Sequence, residues 1–306
     1  MRATALLLSL AYAATLVMGR PVHTTEETTK TAHHGNSTKV ETYTHCNRPG
    51  VFALTFDDGP GQYSWSLAKS LHEQGIKATF FINGANAVDV LHASTTTDEG
   101  EKTYLEVIKH YYDFGHEVAS HTWQHKDLAN MTVAQVKEQM NTQSDIIFQA
   151  IGKRVQLMRP PEGVTDAVSS KVLKDLGYHN ILWDIDTNDW RKQGLAAEQA
   201  LVKEVIEKDV ANVTMGHIAL EHDIHEHTVT ELVPWLISYV KEKGYEFVTV
   251  SDCIGVPAYQ NDTLSAVNGT AIGGIAANVT DAAATPVAAT VVPGSNGSHI
   301  DITLTL

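Results

Sequence analysis

Seven short runs of apolar, β-branched or aromatic residues recur through the middle of the chain: Val51–Phe56, Ala78–Ile82, Glu117–Ser120, Val155–Arg159, Asn180–Asp184, His217–Glu221 and Phe247–Val250. Each is too short and too apolar for a half-exposed antiparallel strand, so each reads as a strand buried on both faces. Between the runs the apolar positions switch to helical spacing, near residues 64–74, 102–114, 132–151, 166–176, 196–208 and 228–243. A helix-length crossover between consecutive strands implies parallel pairing. The expected fold class is α/β, an incomplete relative of the eight-unit (β/α) barrel with about seven parallel strands; a doubly wound open sheet is the alternative that periodicity does not separate from it. In both architectures a functional site belongs at the carboxyl ends of the strands.

The pattern stops at both ends of the chain. Arg2 precedes an apolar run, Ala3 to Val17, that is too short to cross a bilayer and closes on small residues before Gly19, so residues 1–19 read as a secretory signal peptide. Residues 20–44 are rich in Thr, His, Glu and Lys without periodicity and are expected to form a flexible segment ahead of a folded domain spanning 45–258. Residues 259–306 turn to Ala, Thr, Val, Gly and Ser, the composition of a glycosylated, wall-proximal tail. Asn-x-Ser/Thr acceptors stand at Asn36, Asn130, Asn212, Asn261, Asn268, Asn278 and Asn296, in keeping with a glycoprotein outside the cell or at its wall. A glycolipid anchor is the alternative reading of this tail, against which its polar stretch Pro293 to Asp301 counts, since an anchor signal needs a clean hydrophobic end.

Charge and cysteine content narrow the picture. The 306 residues carry 22 Lys+Arg against 36 Asp+Glu, a formal net charge of −14. The chain therefore lacks the basic footprint of a nucleic-acid binder and is repelled by anionic membrane surfaces, which leaves neutral or cationic partners. In an oxidising compartment its two cysteines are expected to pair. Cys46 precedes the first strand and Cys253 follows the last, so a bridge would clasp the ends of the domain; two unrelated buried thiols are the other reading. There are 16 histidines, whose neutral imidazole is the commonest metal ligand.

Five polar constellations fall on strand ends. Thr55-Phe56-Asp57-Asp58-Gly59-Pro60 runs a strand into two adjacent carboxylates, which by strand alternation point to opposite sides and so can divide metal binding from proton transfer. His121-Thr122-Trp123-Gln124-His125 offers two imidazoles four residues apart; with one carboxylate they make a facial set that leaves positions open for water and substrate. Arg159-Pro160-Pro161-Glu162-Gly163 joins a guanidinium that can hold a carboxylate to a backbone fixed by two prolines. Trp183 to Trp190 supplies Asp184, Asp186 and Asp189 between aromatic faces that could stack on a sugar ring. The last, Ile218-Ala219-Leu220-Glu221-His222-Asp223, ends a strand on a histidine suited to general-acid work. Each has an ordinary structural explanation taken singly; their placement on five of seven strand ends is the signal.

Taken in order, Thr-Phe-Asp-Asp-Gly-Pro, His-Thr-x-x-His, Arg-Pro-Pro-x-Gly, Asp-x-x-Asp-Trp and Leu-x-His resemble the five signatures of the polysaccharide deacetylase superfamily, the NodB-homology proteins or carbohydrate esterase family four. The resemblance covers residues 46 to 256, and the cysteine pair and acceptor sites are similar to those of its fungal chitin-deacetylating members. It implies a distorted (β/α) barrel holding one divalent ion, usually zinc, with cobalt or another divalent ion also possible. Asp58, His121 and His125 would be the ligands and Asp57 the base that takes a proton from water. Arg159 would orient Asp57, and His222, kept protonated by Asp189, would protonate the leaving amine. Trp190 and Leu220 would line the acetyl pocket, and the Glu162 backbone N–H would contact the oxyanion. The substrate implied is chitin, chito-oligosaccharide or a related cell-wall polysaccharide, acted on by a monomer with no stable membrane span. Acetylxylan, peptidoglycan and a non-catalytic wall-bound chitin-binding role are the alternatives. Family members commonly carry Tyr where this chain has Glu162, and Ala85 to Glu101 reads as a longer polar loop that would shape the neighbouring subsites.

Overall fold

The computed structural model describes residues 38–209 and 214–260. The expected signal peptide, most of the segment 20–44, the tail from residue 261, and the acceptors Asn36, Asn212, Asn261, Asn268, Asn278 and Asn296 lie outside the described residues. Asn130 is described and is exposed.

The elements are β1 (Thr42–Tyr43), β2 (Val51–Asp57), α1 (Ser64–Glu73), β3 (Thr79–Ile82), β4 (Ser94–Thr97), β5 (Gly100–Thr103), α2 (Tyr104–Asp113), β6 (Glu117–Ser120) and α3 (Val133–Ile151). They continue with β7 (Leu157–Met158), α4 (Ala167–Asp175), β8 (His179–Ile181), β9 (Ile185–Asp186), α5 (Leu195–Asp209), β10 (His217–His222), α6 (Val233–Glu242), β11 (Glu246–Val248) and α7 (Val250–Ile254). All seven expected strands and six expected helices are present. Helix ends follow local chemistry: Thr103, Thr132 and Asp166 each cap a helix with their side chains in a reciprocal capping box.

Among the described residues nine strands form one parallel sheet in the order β1-β8-β7-β6-β3-β2-β10-β9, with β11 paired to the first half of β2. The sheet curls into an incomplete half-barrel surrounded by helices, as expected from the sequence. Its longest strand, β2, is buried along its whole length. Strand alternation then sorts its side chains: Phe52, Leu54 and Phe56 join the core under the helices, whereas Val51 and Ala53 join Phe81, Ala119, Leu157, Ile181 and Ile218 inside the curl.

Four features depart from the sequence reading. Thr42–Tyr43, placed in the flexible segment, pairs in parallel with β8 and adds an edge strand. The stretch Ala85 to Glu101 contributes to an antiparallel hairpin, β4 with β5. Ile185–Asp186 is a separate short strand beside β10, too short to register as an apolar run. Val250 starts helix α7, whose first turn Thr249 caps through its hydroxyl, and does not end a strand.

Cys46 and Cys253 are bridged, 207 residues apart in sequence, with Cα atoms 4.8 Å apart. The Cys46 N–H donates to Gly216 O and the Asn47 N–H to Cys253 O, so backbone hydrogen bonds brace the same junction. On chain entropy alone a closed loop of this length contributes about 5 kcal/mol.

Candidate active site

β2, β3, β6, β7, β8, β9 and β10 end on one rim, and the ends and following loops of all of these but β3 line a cavity of about 540 Å3. Asp57, Asp58, His121, His125, Glu162, Trp190, Leu220 and His222 of the expected set line it, together with Trp183 and Asp186. In the sequence those two stand out only as part of the Trp183 to Trp190 constellation. Arg159 and Asp189 stand directly behind the lining, fully buried.

Asp57 ends β2 on the inward face and is 3% exposed. Alternation would send Asp58 to the other side of the sheet, but Asp58 turns through the left-handed region, φ +71°, and its carboxylate comes back into the same cavity. This corrects the expectation that the two carboxylates point apart: the strand has ended at Asp57, so the rule of alternation no longer applies. Gly59, next in line, has no space for a side chain, because a Cβ there would strike the buried Asp223 carboxylate. That carboxylate is itself held by the Ser64 and Tyr111 hydroxyls.

Asp58 Oδ1 lies 3.3 Å from His125 Nε2 and 3.7 Å from His121 Nε2. One ligand atom from each of the three residues falls within 4.8 Å of the others, and among the described residues they form the one group of His, Cys, Asp or Glu with such an arrangement. The donors suit a divalent ion of zinc type. His121 is prepared for that role. Its Nδ1 donates to the Arg159 carbonyl at 2.8 Å, which leaves Nε2 with its lone pair facing Asp58. Burial pushes its imidazolium down to about 3, so the ring is neutral as a ligand must be.

The base and acid candidates are each tied at one atom and free at another. Arg159 Nη1 donates to Asp57 Oδ1 at 2.7 Å and to Thr55 Oγ1 at 2.8 Å, while Nε and Nη2 reach the carbonyls of Ile181 and Leu182. The guanidinium also lies 4.2 Å from the Phe81 ring centre. Asp57 Oδ2 is left toward His121, 3.7 Å away. Burial raises the Asp57 carboxyl, and the charges of Arg159 and His222 offset this only in part, which brings it nearer a useful basicity.

On the neighbouring strand β10, His222 Nδ1 donates to Asp189 Oδ1 at 2.7 Å. Asp189 Oδ2 accepts from the His222 backbone N–H and from Thr228 Oγ1, both at 2.8 Å. Burial alone would lower the imidazolium; the bond to Asp189 and its charge overcome this, and His222 is pushed up to about 9. Burial would raise Asp189, yet the bonds from His222 and Thr228 hold it below the ordinary carboxylate value.

Glu162 sits at φ +56° in the loop after β7 and lines the cavity. Gly163 and Val164 commit their amides to the Pro160 and Pro161 carbonyls. Trp190 is 48% exposed at the rim. Several remaining histidines have structural partners. His116 accepts from the Ala78 N–H and donates to Ala68 O, His217 lies 2.6 Å from Asp184, and His110 stacks on Trp65 with ring centres 3.6 Å apart.

Residues 44–181 match the family model described as polysaccharide deacetylase. A chitin deacetylase of Pestalotiopsis sp. is 36% identical over 212 residues, covering 69% of this chain and 66% of that protein. The chitin deacetylase of Colletotrichum lindemuthianum is 33% identical over 211 residues, covering 69% of this chain and 82% of that one. The solved structure of a chitin deacetylase from Colletotrichum lindemuthianum superimposes with a TM-score of 0.65 at 31% identity, over 72% of this chain and 96% of that one. The chain thus spans slightly under two thirds of the Pestalotiopsis relative.

Proposed function

The chain belongs to the polysaccharide deacetylase family, and from that premise we propose that it is a secreted chitin deacetylase, which cleaves the N-acetyl amide of N-acetylglucosamine units to release acetate. The observation that carries this reading is the convergence in one cavity of three partly shared functions. Asp58, His121 and His125 are set to hold an ion, Asp57 is braced on Arg159, and His222 is braced on Asp189. The −14 balance suits a neutral polymer whose product becomes cationic.

Amide hydrolysis needs an activated water, a stabilised oxyanion and a proton for a poor leaving group. When bound, a divalent ion supplies Lewis-acid polarisation of the carbonyl and of water. Asp57 takes the proton of the attacking water on Oδ2, since Oδ1 is occupied by Arg159. The Glu162 N–H meets the oxyanion, while the next two amides, of Gly163 and Val164, are committed to the Pro160 and Pro161 carbonyls; a donor so placed contributes about 3–4 kcal/mol where one has been removed in other enzymes. His222 delivers the proton to the amine from Nε2 while Asp189 holds Nδ1. Leu220 and Trp190 enclose the acetyl methyl, and Trp183 offers a face to the sugar ring. Among the described residues no helix is long and apolar enough to cross a membrane. We place the enzyme outside the cell or at its wall, as a monomer whose catalytic domain takes in the edge strand Thr42–Tyr43 as well as 45–258, with a glycosylated tail. Exposed Asn130 suits a glycan acceptor.

Acetate release from chitin oligomers, acetylxylan and peptidoglycan, each with and without a chelator, tests this. Chelator-sensitive release from the chitin oligomers is expected to exceed the other two. Preference for another polymer would reassign the substrate, and zinc-loaded protein that binds chito-oligomers yet frees no acetate would leave a binding role.

The acid assignment has its own test. His222 acts only when protonated, so kcat/KM falls as pH rises through about 9. Asp189→Asn removes the charge that holds the proton, and the alkaline limb should move to lower pH, toward the ordinary imidazole range. A limb that stays in place in that variant rejects the pairing.

A further inference from the structure

The three ligands stand on two loops, and both loops carry unfavourable backbone. Asp58 and Thr122 each have φ +71°, and His125 has φ +51°. Side chains rarely adopt that region unless neighbouring contacts impose it. The contacts converge on Asn83, the first residue beyond β3, which is 2% exposed and belongs to none of the five signatures.

Asn83 grips both loops at once. Its backbone N–H donates to the carbonyl of Gly59, the residue after Asp58, at 2.9 Å. Its side-chain Nδ2 donates to the carbonyls of His121 at 2.5 Å and Thr122 at 2.8 Å. Two carbonyls require a donor, which fixes the amide orientation. Asn83 Oδ1 accepts from Asn86 Nδ2 at 3.2 Å, and the same nitrogen reaches Asp58 Oδ1 at 3.1 Å. The next two amides, of Gly84 and Ala85, both donate to the Trp123 carbonyl, at 3.1 and 2.8 Å. Residues 83–85 therefore hold every carbonyl from His121 to Trp123. A Cβ at Gly84 would crowd Ile146 Cδ1, Gln143 Oε1 and, at 3.0 Å, the Trp123 ring.

We propose that Asn83, backed by Asn86, is the positioning residue that sets the spacing between Asp58 and the His121–His125 loop, and thereby the affinity of the site for its divalent ion. The inference rests on the reading of Asp58, His121 and His125 as ligands. Asn83 touches no reacting atom; it acts through the backbones of the loops that carry them. Partners one step removed from a ligand typically contribute 10–100-fold in metal affinity.

The test is zinc affinity of the full chain by competition with a chromophoric chelator, for wild type, Asn83→Ala, Asn83→Asp and Asn86→Ala. The cobalt-loaded absorption spectrum and a melt of the metal-free protein accompany each. Both Asn83 variants are expected to weaken zinc by about 10–100-fold and to shift the cobalt bands, which report ligand geometry; a general loss of stability would leave those bands in place. Asn86→Ala, on an exposed loop, should weaken zinc several-fold with an unchanged melt. Folded Asn83 variants that bind zinc within about twofold of wild type, with an unaltered cobalt spectrum, overturn the proposal. If neither variant accumulates as folded protein, Asn86→Ala decides by the same criterion. Wild-type protein that takes up neither zinc nor cobalt is a separate failure, because it removes the ligand assignment itself.

Discussion

Asp57→Asn lowers turnover of acetylated oligomers by about 10²- to 10⁴-fold, the range expected for loss of a positioned general base, while the protein keeps its zinc. The separation of effects follows from the geometry. Asp57 is close to His121 but is not part of the Asp58, His121, His125 set, so removing its charge leaves three donors in place. The substitution has a stability cost as well. Arg159 is fully buried and would lose its charged partner, a change that costs about 3–5 kcal/mol when a buried ion pair is broken. Thr55 Oγ1 and the Ile181 and Leu182 carbonyls continue to accept from the guanidinium and moderate that loss. Turnover is therefore measured per folded, zinc-loaded molecule. Wild-type rates in that fraction would remove Asp57 from the role of base.

His125→Ala abolishes activity and metal binding together, with zinc affinity falling by more than the roughly 100-fold that an outer partner can command. His125 is the informative ligand to remove. Its side chain is 28% exposed, so truncation leaves no buried cavity, whereas His121 is 3% exposed and hydrogen-bonded to the Arg159 loop. A melt of the metal-free variant close to that of metal-free wild type is expected, which assigns the loss to coordination. Should His125→Ala retain both zinc and turnover, the ligand set read here is wrong.

Much of this was legible in the residues. Short apolar runs alternating with helical spacing marked seven of the strands, because a parallel strand buried on both faces is rich in apolar side chains. The carboxyl-terminal rule then located the site. What stayed hidden were short pairings, such as Thr42–Tyr43 with β8 and Ile185–Asp186 with β10, whose stability comes from a neighbouring strand and not from their own composition. Val250 is β-branched and so suggests strand, but the Thr249 cap makes it the first residue of a helix. Asn83 carried no motif signal. An asparagine after a strand reads as a turn residue until the loops it joins are known.

By itself the sequence determined which residues stand at strand ends and what chemistry each could do, since those are local properties of periodicity and side-chain type. Tertiary structure alone decided how they meet. Asp57 and His222 are 165 positions apart, yet parallel pairing of β2 with β10 sets them in register as direct neighbours. The curl of the sheet brings the Arg159 guanidinium to Asp57, and a left-handed Asp58 sends its carboxylate into the cavity that strand alternation would have denied it. Such placements depend on strand order and on backbone conformations imposed by distant contacts. No window along the chain contains them.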